Sequence, residues 1–197
     1  MRRLILASAS PRRRELLTQA GYAFEVQPAH VNEDLRPDED AIAYVVRLAR
    51  EKALCVYTET SSKSSAPPQV VVLGADTTVT LDGHILAKPE DAADAARMLR
   101  MLSGRTHRVI TGVAIATAKG AEVAAEVTGV QFRTLSDEEI AAYVASGEPI
   151  GRAGAYAIQG RAAAFISALS GSYSGVMGLP LFETMELLRR YGIGPAG

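Results

Sequence analysis

The sequence predicts an α/β fold in which helices flank a mixed, curved sheet. Helical patterns alternate with both hairpins and isolated strands, which argues against an all-parallel sheet. Residues 70–73 form an uninterrupted β-branched and leucine run, typical of a central strand covered on both faces. With 197 residues, 48% of them hydrophobic, the chain is expected to fold as one domain, residues 1–197, with at most two closely joined lobes.

The first part of the chain contains a short strand and two helices. Residues 3–7, of which 4–7 are apolar, are predicted to form a short buried strand. The following helix is well delimited, with Ser10 as N-cap, Pro11 at the first helical position and Gly21 just after the end. A longer helix is predicted over residues 38–59, because apolar side chains recur on one of its faces.

The central part of the chain indicates a β-hairpin. Residues 60–69 are Ser-rich, contain two adjacent prolines and are predicted to form a surface loop. A buried strand over residues 70–74 follows, and a second strand is predicted over residues 77–81. The pair Asp82-Gly83 then favours a type I′ turn that leads into residues 84–88.

The rest of the chain continues the mixture of helices and strands. A helix over residues 89–103 is stopped by Gly104, and the capping box of Ser136 and Glu139 opens a helix that ends at Gly147. The other predicted elements are strands over residues 106–117, 121–134 and 163–169 and a final helix over residues 180–191.

Composition and charge exclude several classes of protein. The formal net charge is −1 with both signs mixed, so the chain has no global field for gripping DNA or an acidic membrane. The apolar run at the start is too short for a signal peptide or a membrane span, and the lone Cys55 has no disulfide partner. We therefore expect a cytoplasmic protein that binds neither nucleic acid nor membrane and holds any anion at a local site.

Three consecutive arginines, Arg12, Arg13 and Arg14, lie in the first turn of the helix that Ser10 opens. Cations are unfavourable there by roughly a few tenths of a kcal/mol each, because the helix dipole is positive at this end. A bound polyphosphate would offset this cost, since free N–H groups and guanidinium groups both donate to phosphate oxygens. The alternative is a set of solvated surface arginines, but the conflict with the dipole favours the anion site.

Asp76 and Lys88 are predicted to meet at one mouth of the hairpin. Asp76 comes where the strand over residues 70–74 is predicted to end, the usual position of a site residue in an α/β sheet. A two-residue turn pairs Leu81 with the first residue of the return strand, and counting back pairs Thr77 with Lys88. A carboxylate and an ammonium there can hold a metal, activate water or neutralise a phosphate. A structural salt bridge that closes the hairpin explains the spacing equally well.

Other polar residues give weaker signals. Glu33 and Asp34 are clustered carboxylates in the loop between the first two helices, although acidic loop residues are usually only solvated. The three histidines show no metal-ligand spacing and are predicted to be surface or structural groups. No P-loop motif is present and no Rossmann glycine motif follows the first strand, so neither a P-loop NTPase nor a Rossmann dehydrogenase is supported.

Six blocks in order along the chain carry a family resemblance. They are LILASASPRR at 4–13, YVVRLAREKA at 44–53, GADTTV at 74–79 with Lys88-Pro89, MLRMLSG at 98–104 with Thr106-His107, GAYAIQG at 154–160, and GSY at 171–173 with GLPL at 178–181. Together they make the chain resemble the Maf family of nucleoside triphosphate pyrophosphatases over nearly its whole length. The block at 154–160 is similar to the branch that acts on dTTP and UTP.

The resemblance implies a fold, a reaction and partners. The expected fold is like that of the inosine triphosphate pyrophosphatases, with two lobes around a cleft, and the expected assembly is a homodimer. The expected reaction is hydrolysis of a nucleoside triphosphate, dTTP or UTP, to the monophosphate and pyrophosphate. A divalent cation, Mg²⁺ or Mn²⁺, is the expected cofactor, and water would attack the α-phosphorus in line.

The resemblance also implies roles for individual residues. Asp76 matches the proton acceptor of the family, Glu33 and Lys88 match other catalytic positions, and Glu33 and Asp76 would hold the cation. Six positions are expected to bind the substrate: Ser8, Ser10, Arg12, Arg13, Thr77 and Gln159. Among these, Arg12, Thr77 and Gln159 match positions associated with selection of the base.

Three other functions are compatible with parts of this pattern. A nucleotide-binding regulator of septum formation and cell division would bind nucleotide without releasing pyrophosphate. A sanitiser of purine triphosphates would prefer inosine or modified guanine nucleotides to pyrimidines. A sugar-nucleotide transferase is the weakest alternative, because it needs an acceptor site that the sequence does not indicate.

Overall fold

The computed structural model describes residues 2–62 and 69–195. The strands are β1 (Arg3–Leu6), β2 (Glu25–Val26), β3 (Val70–Leu81), β4 (His84–Leu86), β5 (Thr106–Thr117), β6 (Gly120–Phe132) and β7 (Ile166–Ser170). The α-helices are α1 (Pro11–Gln19), α2 (Ala41–Ser61), α3 (Ala92–Leu102), α4 (Asp137–Ala145), α5 (Tyr173–Met177) and α6 (Leu181–Arg190), and two 3₁₀ helices span Ala153–Ala155 and Arg161–Phe165. Most of the predicted loop over residues 60–69 lies outside the described ranges.

The strands form a mixed sheet, which confirms the predicted α/β class. The strand order is β2-β1-β3-β5-β6-β7, and β4 pairs with β3 beside this path. β1 is parallel to both β2 and β3, whereas the remaining pairs are antiparallel. None of the helices in the described ranges is long and apolar enough to cross a membrane.

Helices cover both faces of the first half of β3, as the continuous apolar run predicts. Successive side chains of a strand point to opposite faces, so neighbouring residues of β3 enter different layers. One face packs against α1 and α6 through Leu16, Leu17, Leu187, Leu188, Val71, Leu73, Val113 and Ile115. The other face packs against α2 through Ala49, Ala53, Val56, Val70, Val72 and Ala114. These two layers form what we call the first lobe.

A second lobe lies at the other end of the long strands. Its core contains residues from the ends of β3, β5 and β6 together with α3 and α4: Val79, Leu81, Val109, Phe132, Leu99, Leu102, Ile140 and Tyr143. Residues 76–78 of β3 lie between the two groups of core residues. The centre of β3 is therefore where the lobes meet.

α2 approaches the sheet closely at two glycines. A Cβ on Gly74 would lie 2.2 Å from the Ala49 carbonyl oxygen, and one on Gly112 would lie 2.5 Å from the Val45 carbonyl oxygen. Asp76 pairs with Gly112 across the β3–β5 ladder. The missing side chains let the helix rest on the sheet backbone beside Asp76, which brings later residues of α2 within reach of its carboxylate.

Two predictions about the hairpin region are wrong. β3 does not end at residue 74, because its residues 72–80 pair with β5 without interruption, so Asp76 is mid-strand. Leu81 pairs with the first residue of β4, as predicted, but the ladder between β3 and β4 ends at Val79 and Leu86. Thr77 therefore has no β4 partner. The chain after β4 diverges because the Ala87 carbonyl accepts a hydrogen bond from the Gly154 N–H at 3.2 Å.

Several element boundaries differ from the sequence prediction for local reasons. α3 begins at Ala92, since the Asp91 side chain accepts from Asp94 N and serves as its cap. α2 begins at Ala41 after the cap Asp40 and extends to Ser61. The predicted strand at 163–169 is a 3₁₀ helix as far as residue 165, and the two-residue β2 and the five-residue α5 were not predicted.

Candidate active site

A cavity of about 620 Å³ opens where β3 passes between the lobes. This volume lies in the range of about 300–1,000 Å³ that is common for small-molecule sites. All nine predicted site residues contribute to its wall: Ser8, Ser10, Arg12, Arg13, Glu33, Asp76, Thr77, Lys88 and Gln159. The arginine-bearing start of α1 and the carboxylate of Asp76 therefore share one opening.

Asp76 belongs to a cluster of charges that we call the acid centre, formed by the buried Asp76 and Lys52 and the exposed Glu33. Lys52 Nζ lies 2.7 Å from Asp76 Oδ1 and 2.6 Å from Glu33 Oε1. Asp76 and Lys52 are only 8% and 7% exposed, while Glu33 is more open to solvent. Buried charges are costly unless paired, so one ammonium holds two carboxylates at the cavity wall.

The pairing of Asp76 with Lys52 excludes one of the two interpretations of the hairpin mouth. Lys88 lines the cavity but makes no ion pair with any described residue, and the carboxylate of Asp76 is bonded to α2 instead. The structural salt bridge between Asp76 and Lys88 is therefore wrong. Lys88 instead presents an unneutralised ammonium to the cavity.

Glu33 is positioned by α2 although it lies in a loop. The Tyr44 hydroxyl donates to the Glu33 carbonyl oxygen at 2.9 Å and ties this loop to the helix. Desolvation raises the pKa of the Glu33 carboxyl, but the hydrogen bond from Lys52 and the positive charges of Lys52, Lys88 and Arg13 outweigh it, so the net shift of the pKa is downward. Glu33 is accordingly a carboxylate at neutral pH.

The start of α1 brings two of the three consecutive arginines to the cavity. Ser10 is the N-cap and Pro11 the first helical residue, as predicted, although the Ser10 side chain makes no capping hydrogen bond. Arg12 and Arg13 line the cavity, whereas Arg14 is exposed and is not part of its wall. Free N–H groups at the helix start and two guanidinium groups therefore border the same space.

Arg13 is fixed by hydrogen bonds from three of its nitrogen atoms. Nε donates to the Gly178 carbonyl oxygen at 2.7 Å, Nη1 to Ser8 Oγ at 3.2 Å and Nη2 to Thr77 Oγ1 at 3.2 Å. Burial lowers the pKa of Arg13, and the carboxylates of the acid centre oppose that shift. A guanidinium nevertheless stays charged in proteins, so Arg13 is a rigid cation in the cavity wall.

Thr77 connects Arg13 to the fully buried Thr111. The two hydroxyl oxygens lie 2.9 Å apart, and Thr111 Oγ1 donates to the Gly175 carbonyl oxygen at 2.8 Å. Because that bond uses the only hydroxyl hydrogen of Thr111, Thr77 donates its own hydrogen to Thr111. Toward the cavity, the Thr77 hydroxyl can then act only as an acceptor.

Residues 151–159 supply the part of the wall that belongs to the second lobe. Gly154 has φ +66° and packs so tightly that a Cβ would lie 2.9 Å from a Val79 side-chain carbon. Ala155 also has a positive φ, 60°, which is uncommon for a residue other than glycine. This backbone places Arg152 and Gln159 in the cavity wall.

His107 packs behind this part of the cavity wall and contacts Tyr156. It is 1% exposed, and its Nε2 lies 2.7 Å from the hydroxyl of Tyr156, a cavity residue. Burial lowers the pKa of His107 to about 4, so the ring is neutral at pH 7. This histidine is a structural group, in line with its prediction from sequence.

The cavity is strongly positive despite the net charge of −1 of the whole chain. Its wall contains two carboxylates, Glu33 and Asp76, and five cations, an excess of three positive charges. The cations are Arg12, Arg13, Lys52, Lys88 and Arg152. Such a concentration of one sign in a concave site attracts a polyanion.

The donor set of the acid centre suits a hard divalent cation that also binds substrate. Mg²⁺ is usually held by one or two carboxylates together with substrate phosphates and water. Glu33 and Asp76 each use one oxygen on Lys52, which leaves their other oxygens, Oε2 and Oδ2, without a hydrogen bond to the described residues. Among the described residues, no group of three or more His, Cys, Asp or Glu side chains could hold a metal ion without further ligands.

Four residues of the site and its support were not predicted: Lys52, Tyr44, Thr111 and Arg152. Lys52 had a detectable signal, because it follows Val45 by two helical turns and so falls on the buried face of α2. Tyr44, Thr111 and Arg152 gave no such signal in the sequence, because their contacts are with residues distant along the chain.

Comparison with known proteins agrees on one family. A model of the Maf-like protein family matches residues 3–191. A protein of Chromobacterium violaceum named dTTP/UTP pyrophosphatase is 52% identical over 96% of this chain and 95% of its own length. Proteins of the same name from Salmonella typhimurium and Hahella chejuensis are 52% and 50% identical, over 97% and 98% of this chain and 94% of their own lengths.

A solved structure aligns with part of the chain. It is that of the Staphylococcus aureus Ham1 protein, with a TM-score of 0.40 and 10% identity, over 66% of this chain and 72% of that one. The family match, in contrast, covers nearly the whole chain and includes every residue of the cavity wall. The chain belongs to the Maf-like protein family.

Proposed function

We propose that this protein hydrolyses nucleoside triphosphates, preferentially dTTP and UTP, to the nucleoside monophosphate and pyrophosphate. The observation that carries this proposal is the cavity itself, in which an acid centre adjoins an excess of three positive charges. The name dTTP/UTP pyrophosphatase of relatives about half identical to this chain supports the same reaction.

In the proposed reaction, water attacks the α-phosphorus in line with the bond to the leaving group. The water oxygen forms a new bond to the α-phosphorus, the bond from that phosphorus to the α–β bridging oxygen breaks, and pyrophosphate leaves with the electron pair. Asp76 orients the water and accepts its proton. Its mid-strand position suits this role, because a carboxylate on a rigid element keeps one geometry.

Lys52 acts as a positioning residue in this scheme. It contacts both carboxylates of the acid centre and holds them together at the cavity wall. Arg12, Arg13 and Lys88 neutralise charge that develops on the bridging oxygen and on pyrophosphate. Ser8 holds Arg13, and Ser10 provides the start of α1 at which phosphate oxygens find free N–H groups.

A divalent cation, Mg²⁺ or Mn²⁺, fits this proposal. Glu33 and Asp76 would hold it through the oxygens that Lys52 leaves open. When bound, such a cation supplies charge neutralisation on the phosphate oxygens. Removal of divalent cations with a chelator should abolish turnover, and readdition should restore it.

Selection of the base is proposed to involve Thr77, Gln159 and Arg12. The Thr77 hydroxyl can only accept a hydrogen bond toward the cavity, which suits the N3–H of thymine or uracil. Cytosine has no hydrogen at N3 and would turn an acceptor toward the remaining lone pair of Thr77, whose other hydrogen bonds go to Arg13 and Thr111. Discrimination against dCTP by about 10- to 100-fold is the expected result, because the N3 atom of cytosine would be left without a hydrogen-bond partner, which costs about 1–3 kcal/mol.

A panel of triphosphates with identification of the products tests the proposal. We expect pyrophosphate and the monophosphate from dTTP and UTP, with lower kcat/KM for dCTP and for inosine and guanine nucleotides. Asp76→Asn should lower kcat by about 10²–10⁴-fold without unfolding the protein, whereas Asp82→Asn, in the exposed hairpin turn, should not. Nucleotide binding without pyrophosphate release would instead identify the regulator, and a purine preference the sanitiser.

The proposal extends to the compartment and the assembly of the protein. We infer a cytoplasmic location, where nucleoside triphosphates are present and the unpaired Cys55 stays reduced. The homodimer implied by the family resemblance stays a prediction. Light scattering tests it, with twice the 20.9 kDa of one chain as the expected mass.

A further inference from the structure

Arg152 is a cavity residue that the reaction scheme above leaves without a role. Five arginines make no ion pair and no side-chain hydrogen bond to the described residues: Arg14, Arg50, Arg108, Arg152 and Arg161. Four of them are exposed and therefore solvated, but Arg152 is half-buried in the cavity wall. An arginine that is withdrawn from water without a partner indicates a ligand.

The Nε atom of Arg152 is a buried donor without a partner in the described part of the chain. Arg12 Nε, in the same cavity wall but on the first lobe, is shielded and unpaired in the same way. Two arginines from different lobes thus line one cavity, and each has an Nε donor without a partner among the described residues. A planar fork of donors matches phosphate oxygens.

The backbone around Arg152 is arranged to fix it in place. The left-handed pair Gly154 and Ala155 follows directly, and the Gly154 N–H donates to the Ala87 carbonyl oxygen, one residue before Lys88. The same backbone contact therefore brings together the segments that carry Arg152 and Lys88, the two cavity cations of the second lobe. Unusual backbone conformations of this kind persist where packing enforces them and are frequent at ligand sites.

The charge of Arg152 distinguishes a phosphate from a base as its ligand. A guanidinium has donors only and remains charged, and Arg152, unlike Arg12 with its partner Glu15, makes no ion pair with the described residues. Contact of Arg152 with a neutral pyrimidine alone would therefore leave its charge uncompensated. A pyrophosphate group compensates that charge and accepts from several donors at once. In the proposed reaction, Asp76 lies beside the α-phosphorus, on the strand between the lobes. The cations of the second lobe, Lys88 and Arg152, can then bind the β- and γ-phosphates, which leave as pyrophosphate.

We propose that Arg152 is a substrate-binding residue that holds the β- and γ-phosphates of the substrate, and then pyrophosphate, from the second lobe. This inference rests on the hydrolysis proposed above. It adds a fourth contact to the cations Arg12, Arg13 and Lys88 and assigns it to the leaving group. Arg152 and Arg12 would grip the phosphate chain from opposite lobes.

Calorimetric titration of pyrophosphate and of dTMP, in separate experiments with Mg²⁺ present, tests this assignment. Arg152→Gln should weaken pyrophosphate binding by about 10- to 100-fold, since a hydrogen bond to a charged group contributes about that factor, and should leave the Kd of dTMP unchanged. Arg152→Lys keeps the charge but not the planar fork and should be intermediate. Arg161→Gln, an exposed arginine of the same lobe, is the matched control and should bind as the wild type does.

The kinetic counterpart is a loss of kcat/KM in Arg152→Gln by the same factor for dTTP, UTP and dCTP. A loss confined to one base, a weakened dTMP complex or an unchanged pyrophosphate Kd would overturn the assignment. If the wild type released no pyrophosphate from any triphosphate, the proposed function itself would fail. An active wild type with an unaffected Arg152→Gln variant would reject only the role of Arg152.

Discussion

Lys52 Nζ contacts Asp76 and Glu33 at 2.7 and 2.6 Å, and this lysine is only 7% exposed. Its four-carbon side chain lies along α2 where the helix touches the sheet. Without the ammonium, the carboxylate of Asp76 would remain buried with no ion-pair partner among the described residues. At the scale of single residues, this ion pair is therefore where stability and activity are most closely linked.

Lys52→Met should destabilise the fold by about 3 kcal/mol, the usual cost of removing one partner of a buried ion pair. Urea unfolding measures this loss. The double variant Lys52→Met/Asp76→Asn should recover most of the stability while remaining inactive, because the uncompensated charge is removed as well. Arg50→Met, exposed on the same helix, is the control, and an equal stability of Lys52→Met and the wild type would contradict the account.

The buried His107 predicts a pH effect on stability. Its pKa is about 4 in the folded protein and near 6.5 when unfolded, so between these values the unfolded chain binds more protons. Stability is therefore complete above about pH 6.5 and falls as the pH drops toward 4. The contribution of this one residue is about 2 kcal/mol between roughly pH 7 and pH 5.

His107→Gln should remove that part of the pH dependence. The free energy of unfolding would be measured for the variant and the wild type at about pH 7 and pH 5, and only the difference between their two slopes matters, because acidic groups titrate in both proteins. Parallel pH profiles for the two proteins would show that His107 is not buried as a neutral ring.

The residues at the site were predictable from sequence to different degrees. Arg13 could be singled out because cations are unfavourable at the start of a helix. Asp76 was singled out at a predicted strand end, although the structure places it in the middle of β3. The network around Thr77 could not, because Thr111 and Gly175 reach it only after β5 and α5 have packed. Side chains that act through distant contacts have no local pattern.

At the scale of elements, the contact between α2 and the sheet sets the position of Lys52. Gly74→Ala would place a Cβ 2.2 Å from the Ala49 carbonyl oxygen, so the helix must shift. We expect a loss of about 1–3 kcal/mol in unfolding free energy, together with lower kcat. Gly129→Ala is the matched control, since its Cβ would meet nothing closer than 3.9 Å. Equal kcat in Gly74→Ala and Gly129→Ala would contradict the claim that the position of α2 matters for catalysis.

The elements themselves show what sequence patterns can and cannot specify. Long periodic or β-branched segments such as α2 and β5 were predicted close to their observed bounds, because burial of a face leaves a regular pattern. β2 has two exposed residues and leaves no such pattern. β3 was divided at residue 74 because glycine, alanine and aspartate are poor strand formers, yet pairing with β5 overrides that preference.

At the scale of the whole molecule, the site is formed where two lobes meet along one strand. The first lobe contributes the acid centre and the start of α1, and the second contributes Lys88, Arg152 and Gln159. The α/β class and nine residues of the cavity wall were predictable, since family blocks and capping patterns give their order along the chain. The grouping of five cations in one cavity was not predictable from sequence, because residues from both lobes contribute to it.

Hydrolysis of dTTP in ¹⁸O-labelled water, followed by ³¹P NMR of the products, tests the central claim most directly. Attack on the α-phosphorus predicts one labelled oxygen in dTMP and none in pyrophosphate, with no orthophosphate formed in parallel. Label in pyrophosphate, or release of orthophosphate as the first product, would contradict the proposed reaction.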